Sequence, residues 1–592
     1  MAKSKSKVSP VRQQYLNIKA KHPDTIVFFR LGDFYETFDE DANLVSRELD
    51  IVLTSRNVSK GMRIPMAGIP HHAAENYLSR LIDKGYHVAI CEQIGTEPVN
   101  GLMPREVVRT ITPGTIYEPG LLPGDENNYL AAVVINDKKA GIAYVDITTG
   151  EFSAAEFEDQ IIKQLVRTEL NRLNPAEIIM PEDLDLGKPE NNGVPGFQSR
   201  IPNWKFELGR CEELIKQHFK VKSLDGFGLT NKYMAISAVG AILHYLKENQ
   251  PASLSLLTGI NSYSLSEFMN LDASTRRNLE LVETIRGGKV QGSLLGILDK
   301  TVSPMGKRML LQVISKPLLN VEEIDQRLDG VAFFFSDGVL RSKIRSALKP
   351  LSDLERITNR IIGKTALPRD LIALRETLGK IPNIKDLLIS ENDVVKKLTA
   401  DLSPCADVHE LLNRAISDDP PATMQKSGVI RPEYSAELDE VLESSRFARE
   451  WITNLEAVER ERTGIKNLKV GYNKVFGYYI EITRSNSEKA PDDYIRKQTL
   501  VNAERFITPE LKDFESQVLN AEEQIKKIEA RVFFELCSLL AKSSDELIKT
   551  ARTLAYLDVI TNLAEVAALE GYIRPEIVEE DVLEILTAGI RL

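Results

Sequence analysis

Between residues 436 and 540 the chain carries two long apolar stripes separated by one short segment of alternating residues. Upstream, Leu438, Val441, Ala448, Trp451, Leu455 and Val458 recur at spacings of three, four or seven. Downstream, Phe514, Val518, Ala521, Ile525, Ile528, Val532, Leu536 and Leu539 do the same. Each stripe spans about 25–30 residues, roughly 40 Å of helix at 1.5 Å per residue. Two heptad-like stripes around one insert predict an antiparallel pair of arms. The insert, Lys466 to Lys512, contains Val475-Phe476-Gly477-Tyr478-Tyr479-Ile480-Glu481-Ile482, whose alternation predicts β-structure. A small sheet at the end of a helical stalk is therefore expected.

The rest of the chain has to supply what such arms are attached to. At about 100–200 residues per domain, 592 residues suggest roughly three to five domains. Residues 24–38 are rich in aromatic and β-branched types and read as one strand. Asp39-Glu40-Asp41 then opens an apolar-periodic stretch through Leu44 and Leu49, as a helix with anions at its N-terminus would. Turn residues at Pro113-Gly114, Pro119-Gly120 and Pro123-Gly124-Asp125 mark a linker after this α/β block. Strand-like runs at Leu130–Ile135, Gly141–Ile147 and Gly150–Ala155, a helix near 157–172 and a strand at Ile178–Met180 predict a second α/β domain to about residue 250. Beyond it, helical stretches are expected at 265–285, 292–316, 321–347, 350–380, 408–416 and 545–569. The expected fold is thus multidomain, α/β plus all-α. Its spans are 1–115, 116–250, 251–435, 436–540 with a tip at 466–512, and a return segment at 541–592.

Composition narrows the function classes. There is no run of 18 or more apolar residues, which disfavours a membrane span. The basic start through Lys7 lacks the apolar stretch of a secretory signal. Cys91, Cys211, Cys405 and Cys537 form no Cys-x-x-Cys pair, which argues against a disulfide framework or zinc site and for a reducing cytosol. A formal net charge of -11 weighs against wholesale electrostatic binding of nucleic acid. The insert reverses that sign locally, with nine Lys and Arg against six Asp and Glu, a net +3 interleaved with tyrosines. Such a surface suits sequence-independent phosphate contacts, although a solvated face reads the same way from charge alone.

One short motif adds chemistry. In Gly32-Asp33-Phe34-Tyr35-Glu36, residues two apart on a strand share a face, so Phe34 and Glu36 project together. An aromatic wedge beside a hydrogen-bonding carboxylate suits entry into a DNA minor groove, where it unstacks a base step and tests a base edge. Taken alone, the same residues also read as a core Phe with a surface Glu.

The context is more specific. The run Phe28-Phe29-Arg30-Leu31-Gly32-Asp33-Phe34-Tyr35-Glu36-Thr37-Phe38-Asp39-Glu40-Asp41-Ala42 closely resembles the mismatch-recognition segment of the bacterial MutS family of DNA mismatch repair proteins. So do Ile64-Pro65-Met66-Ala67-Gly68-Ile69-Pro70-His71-His72-Ala73, Val88-Ala89-Ile90-Cys91-Glu92-Gln93 and Val107-Val108-Arg109-Thr110-Ile111-Thr112-Pro113-Gly114-Thr115. Leu271 to Glu280 and Leu298 to Gly306 resemble the family's core, and Leu468 to Ile480 with Asn502-Ala503-Glu504-Arg505-Phe506 resemble its clamp. The resemblance implies a mismatch-recognition domain, a ribonuclease H-like connector, a core of long-helix levers and a clamp. It implies that Phe34 stacks on a mispaired base, that Glu36 hydrogen-bonds to it, and that Arg56, Lys474, Arg496, Lys497 and Asn502 lie near the DNA backbone. It further implies mismatched duplex DNA as partner, a homodimer when full length, a MutL-type repair protein docking on the connector, and a bacterial cytoplasmic, nucleoid-associated location.

Full-length members of that family continue into an ATPase domain that uses ATP and Mg²⁺. Gly571-Tyr572-Ile573-Arg574-Pro575 resembles the approach to it, and the sequence stops at Leu592, so no catalytic residue, cofactor or metal is expected in this span. Gly363-Lys364-Thr365 imitates part of a phosphate loop, but residue 358 is Thr where that loop needs Gly. His71 and Glu75, four apart, are two potential metal ligands, which do not make a site. Asp146 and Glu151 carry an alternative reading, a structure-specific metal-dependent nuclease. A scaffold fragment that does not hold DNA is a third.

Overall fold

The computed structural model describes residues 9–59, 62–95, 102–117, 121–187, 193–473, 477–580 and 582–585. They divide into two compact units, one of Met1–Gly363, Lys380–Ser403 and Glu546–Leu592, the other of Lys364–Gly379 and Pro404–Asp545. Among the described residues no helix is long and apolar enough to cross a membrane. No disulfide joins the four buried cysteines.

The first unit opens with α1 (Pro10–Lys21), capped by the Ser9 hydroxyl and started by Pro10. Six strands follow: β1 (Ile26–Leu31), β2 (Phe34–Phe38), β3 (Thr54–Ser59), β4 (Met62–Pro70), β5 (Val88–Gln93) and β6 (Arg105–Ile111). They form one sheet in the order β3-β4-β2-β1-β5-β6, antiparallel except for the parallel β1–β5 pair. The single strand expected over 24–38 is in fact two, folded back at Gly32-Asp33. Gly32 sits at φ +59°, where a side chain is disfavoured, and this lets the chain turn within two residues. β1 is one of the two central strands: Ile26 and Phe28 face one apolar cluster, Val27 and Phe29 the other. Helix α2 (Asp39–Leu49) carries the predicted three acids in its first turn, and α3 (Ala74–Ile82) packs beside it.

The second sheet contains β7 (Tyr129–Asn136), β8 (Lys139–Asp146), β9 (Glu151–Glu158), β10 (Glu177–Pro181), β11 (Phe197–Ile201) and the two-residue β12 (Asn261–Ser262). The order is β11-β10-β7-β8-β9-β12, with β7, β8 and β9 an antiparallel meander and β10 parallel to β7. Helices α4 (Ile162–Leu173), α5 (Leu208–Phe219) and α6 (Tyr233–Asn249) cover it. At Gly141 on β8 a Cβ would stand 2.1 Å from the Met234 backbone, so α6 approaches the sheet as closely as only Gly permits.

The two sheets are joined by Glu177, fully buried on β10. It accepts from the Thr112 hydroxyl, the Gly114 N–H at 3.0 Å, the Ser199 hydroxyl at 2.6 Å and the Tyr245 hydroxyl at 2.6 Å. A buried carboxylate is tolerable only when paired in this way.

Helices continue through α7 (Ala273–Asn278), α8 (Leu294–Leu298), α9 (Pro304–Ser315), α10 (Val321–Ser336), α11 (Gly338–Leu348), α12 (Leu354–Ile362), α13 (Pro368–Leu387), α14 (Asp393–Asp401), α15 (Ala406–Ala415), α16 (Ala436–Thr463), α17 (Pro509–Leu540) and α18 (Ser544–Glu570). Three of the long helical stretches read from periodicity are broken. Ser303 caps a new helix at Pro304, Asp337 caps α11 and Gly363 ends α12, because local caps outweigh a continuous apolar stripe. Only α7 and a short 3₁₀ turn are helical within 265–285. Asp558 on α18 fixes one of these breaks. Its carboxylate accepts from the backbone N–H of Val302 and Ser303 and from the Ser303 hydroxyl at 2.6–3.1 Å.

In the second unit α16 and α17 pair antiparallel: Glu437 meets Arg531, Arg449 meets Glu522 at 2.7 Å, and Trp451 stacks on Phe514 at 4.0 Å. Both starts are capped, by Ser435 and Thr508, and α16 ends at Gly464 with φ +68°. The seam runs through Leu438, Ser445, Ala448, Ile452, Leu455 and Glu459 on α16. Val458 and Leu539, placed on the seam by spacing, are 56% and 44% exposed. Glu459 takes the place expected of Val458, because its carboxylate accepts from Tyr494 at 2.7 Å and Arg462 at 2.9 Å. Between the arms, β13 (Lys469–Asn473), β14 (Gly477–Thr483), β15 (Ile495–Thr499) and β16 (Ala503–Ile507) form an antiparallel sheet in the order β13-β14-β16-β15.

Glu529 on α17 is buried and accepts from the N–H groups of Gly428, Val429 and Ile430 at 2.9–3.2 Å. Removing the acceptor leaves these donors without their partner, so Glu529→Ala is expected to cost the second unit about 3 kcal/mol. Urea unfolding followed by Trp451 fluorescence in a Trp204→Phe background reads that unit, and an unchanged midpoint would refute the assignment.

Candidate nucleic-acid interface

The turn at Gly32-Asp33 sets up the first site. Asp33 accepts from the His71 N–H at 2.9 Å and the Gly32 carbonyl from Arg30 at 2.6 Å, so the end of β4 and a side chain of β1 pin the turn. Phe34 follows at once as the first residue of β2, opposite Pro70, and is 46% exposed. Tyr35 points the other way, buried, stacked on Phe28 and hydrogen-bonded to Glu92. Glu36 returns to the Phe34 side, opposite Gly68. The shared face read from the period of two is therefore present.

Glu36 is half-buried. Burial raises its carboxyl above the ordinary range, and Arg56 opposes the shift through its charge and a hydrogen bond. Arg56 Nη1 donates to Glu36 Oε2 at 2.6 Å. The cation expected at a DNA backbone is thus engaged by the very carboxylate expected at the base, a pairing that lies twenty residues apart in sequence and that no spacing signal exposed.

The second site is the tip sheet. Lys474 lies outside the described residues. Arg496 is exposed but held 3.0 Å from Glu504, a carboxylate on the core side of the sheet, with its guanidinium 5.9 Å from the Phe506 ring. Lys497 is the extra residue of a β-bulge, since Arg496 pairs with Phe506 and Gln498 with Arg505. A bulge re-aims a side chain, and Lys497 is exposed there. Asn502 is exposed in the β15–β16 turn, and its carbonyl accepts from the Arg484 N–H at 3.1 Å. That bond brings exposed Arg484 and the 3₁₀ turn ending at Lys489 to the same end of the sheet as Asn502. Sequence reasoning counted these two cations without singling them out; their adjacency to Asn502 is a property of strand pairing. Arg505 is used internally, stacked on Tyr479 at 4.1 Å and bonded to Glu481 and Gln498.

The other motifs acquire structural roles. Asp146 is fully buried and accepts from Asn127 at 2.8 Å, from the Thr148 N–H at 2.8 Å and from the Thr148 hydroxyl at 2.7 Å. Glu151 accepts from Tyr129, Tyr144 and Gln312 at 3.0–3.3 Å. Among the described residues no group of three or more His, Cys, Asp or Glu could hold a metal ion. His71 lies in a 3₁₀ turn ahead of α3, so it and Glu75 do not share an α-helical face. Gly363-Lys364-Thr365 follows a helix rather than a strand, and Gly363 packs against Leu256.

Family models match three successive parts of the chain: MutS domain I over residues 9–119, MutS domain II over 128–258 and MutS domain III over 274–564. A DNA mismatch repair protein MutS of Dehalococcoides mccartyi is 43% identical over 581 residues, covering 98% of this chain and 67% of the relative. The chain belongs to the MutS family. MutS of Alkaliphilus oremlandii is 42% identical over 590 residues, again 98% of this chain and 67% of the relative, and MutS of Halothermothrix orenii is 44% identical with 65% of its length covered. The span is thus about two thirds of these MutS proteins.

The two tip cations differ in what they do for the fold. Arg496→Ala leaves buried Glu504 without its cation and is expected to cost about 1 kcal/mol of stability. Lys497→Ala is expected to stay within about 0.5 kcal/mol of wild type. Paired urea titrations check this, and equal costs would contradict the geometry.

Proposed function

We propose that this MutS-family chain binds mismatched duplex DNA, with Phe34 as the wedge and Glu36 as the group that reads the displaced base. The observation that carries the reading is the half-exposed Phe34 ring next to a carboxylate on one face of β2, in a family named for DNA mismatch repair. DNA at a mispair unstacks and kinks more readily than paired DNA, so an inserted ring converts lower deformation energy into discrimination.

In this reading 1–115 is the mismatch-recognition domain and 116–250 the connector. Residues 251–435 and 541–592 form the core with its levers, and 436–540 the arms and clamp. The meander β7-β8-β9 with β10 and β11 parallel to β7 supports a ribonuclease H-like connector. Exposed Lys497, Asn502 and Arg496 on the tip sheet support a clamp that meets phosphates, a contact that is sequence-independent and salt-sensitive. A homodimer, a MutL-type partner on the connector, a cytoplasmic location, and ATP with Mg²⁺ bound by a further domain of the longer family members complete the proposal. The nuclease alternative is not favoured, because Asp146 and Glu151 already serve as acceptors for neighbouring groups.

Stacking an aromatic ring on a base is worth about 1–3 kcal/mol, so Phe34→Ala is expected to lose roughly fivefold or more of the preference for G·T over G·C duplex. Fluorescence anisotropy at fixed salt measures it, and an intact preference would sink the wedge. Lys497→Ala should weaken both duplexes alike and reduce the log–log salt slope by about 1. With Mg²⁺ present, mismatched and branched DNA should remain uncut. Cleavage that disappears in Asp146→Asn would revive the nuclease.

A further inference from the structure

Arg56 reaches Glu36 from two strands away: it stands on β3, Glu36 on β2, and β4 runs between them. The Glu36 side chain is 17% exposed and that of Arg56 41%, so the carboxylate is mostly covered and the cation lies at the surface. β4 presents Gly68 opposite Glu36. A Cβ there would lie 3.6 Å from Glu36 Cγ and 3.9 Å from the Phe34 ring, so a larger side chain would compete for the space the carboxylate and ring occupy.

The other charged groups nearby are committed elsewhere. Arg30 of β1 lies over the Tyr35 ring and Glu92 of β5 is bonded to the Tyr35 hydroxyl, on the opposite face of β2. Arg63 of β4 donates to Asn57. Among the described residues, then, Arg56 is the charged partner of Glu36, and it engages Oε2 through a single nitrogen.

A covered carboxylate brought up to a polyanion loses hydration and meets phosphate repulsion. A guanidinium on one oxygen reduces both penalties and fixes the side-chain rotamer, while the second oxygen stays available to a base. We infer that Arg56 is a positioning residue for Glu36: it orients and charge-compensates the carboxylate so that Oε1 meets the mispaired base, and it acts on discrimination through Glu36 instead of through a phosphate. This rests on the reading that Glu36 meets the base.

The test is a double-mutant cycle read as the ratio of G·T to G·C affinity by fluorescence anisotropy at fixed salt, on the whole chain. Arg56→Ala is expected to cut the ratio by about threefold, within the range of a part-exposed ion pair. Arg56→Lys, which keeps charge and a donor, should restore most of it. In a Glu36→Ala background, Arg56→Ala should leave the ratio where Glu36→Ala put it. Equal losses on both duplexes in both backgrounds would make Arg56 a phosphate contact and overturn the inference. A ratio unmoved by Glu36→Ala but lowered by Phe34→Ala would overturn the role of Glu36, and this inference with it, while leaving the wedge standing.

Discussion

Asp558 in α18 holds the N–H groups of Val302 and Ser303 across more than 250 residues of sequence, and joints of this kind recur at two other places where distant segments meet. Glu529 does it for Gly428 to Ile430, and Glu177 for Gly114 together with the hydroxyls of Thr112, Ser199 and Tyr245. The physics is the same each time. Backbone donors left at a loop or helix start need an acceptor, and a carboxylate offers several lone pairs in one place. Burial makes the bond strong and its loss expensive. These three carboxylates count toward the net charge of the chain, yet they are spent inside the fold and say nothing about a partner.

The Glu36–Arg56 pair differs in kind from these joints. Glu177, Glu529 and Asp558 lie in the core with their oxygens occupied by their own chain. Glu36 sits at a surface, half-covered, with one oxygen engaged and an exposed aromatic ring beside it. A carboxylate with a side chain engaged on one oxygen, on an inner strand of a six-stranded sheet beside an exposed ring, fits a group held ready for an external partner.

Legibility followed the range of the forces involved. Periodicity found the arms, the meander β7-β8-β9, α2 and the common face of Phe34 and Glu36, because each depends on side chains a few residues apart. It missed the turn at Gly32-Asp33, where one glycine conformation overrides strand propensity. It also ran helices through Ser303, Asp337 and Gly363, where caps decide. Spacing places Val458 on the seam, yet the chain buries Glu459, because Tyr494 from the tip and Arg462 one turn along α16 satisfy its carboxylate. The pairings Glu36–Arg56 and Arg496–Glu504 depend on strand register, which nothing in a local window encodes. Family resemblance implies a place for Arg56 near DNA but says nothing of the Glu36 carboxylate it touches.

Neither α16 between Ala436 and Thr463 nor α17 after Pro509 contains a glycine or proline, and their seam is braced by the Trp451–Phe514 stack. A paired rod of this kind has no internal hinge, so it converts angle into distance. Over roughly 40 Å of helix, a rotation of about 5° at the root carries the far end by about 3–4 Å, close to the axial rise of about 3.4 Å per nucleotide of a DNA duplex. Small repacking where the arms begin would thus be enough to move the tip sheet by several ångströms.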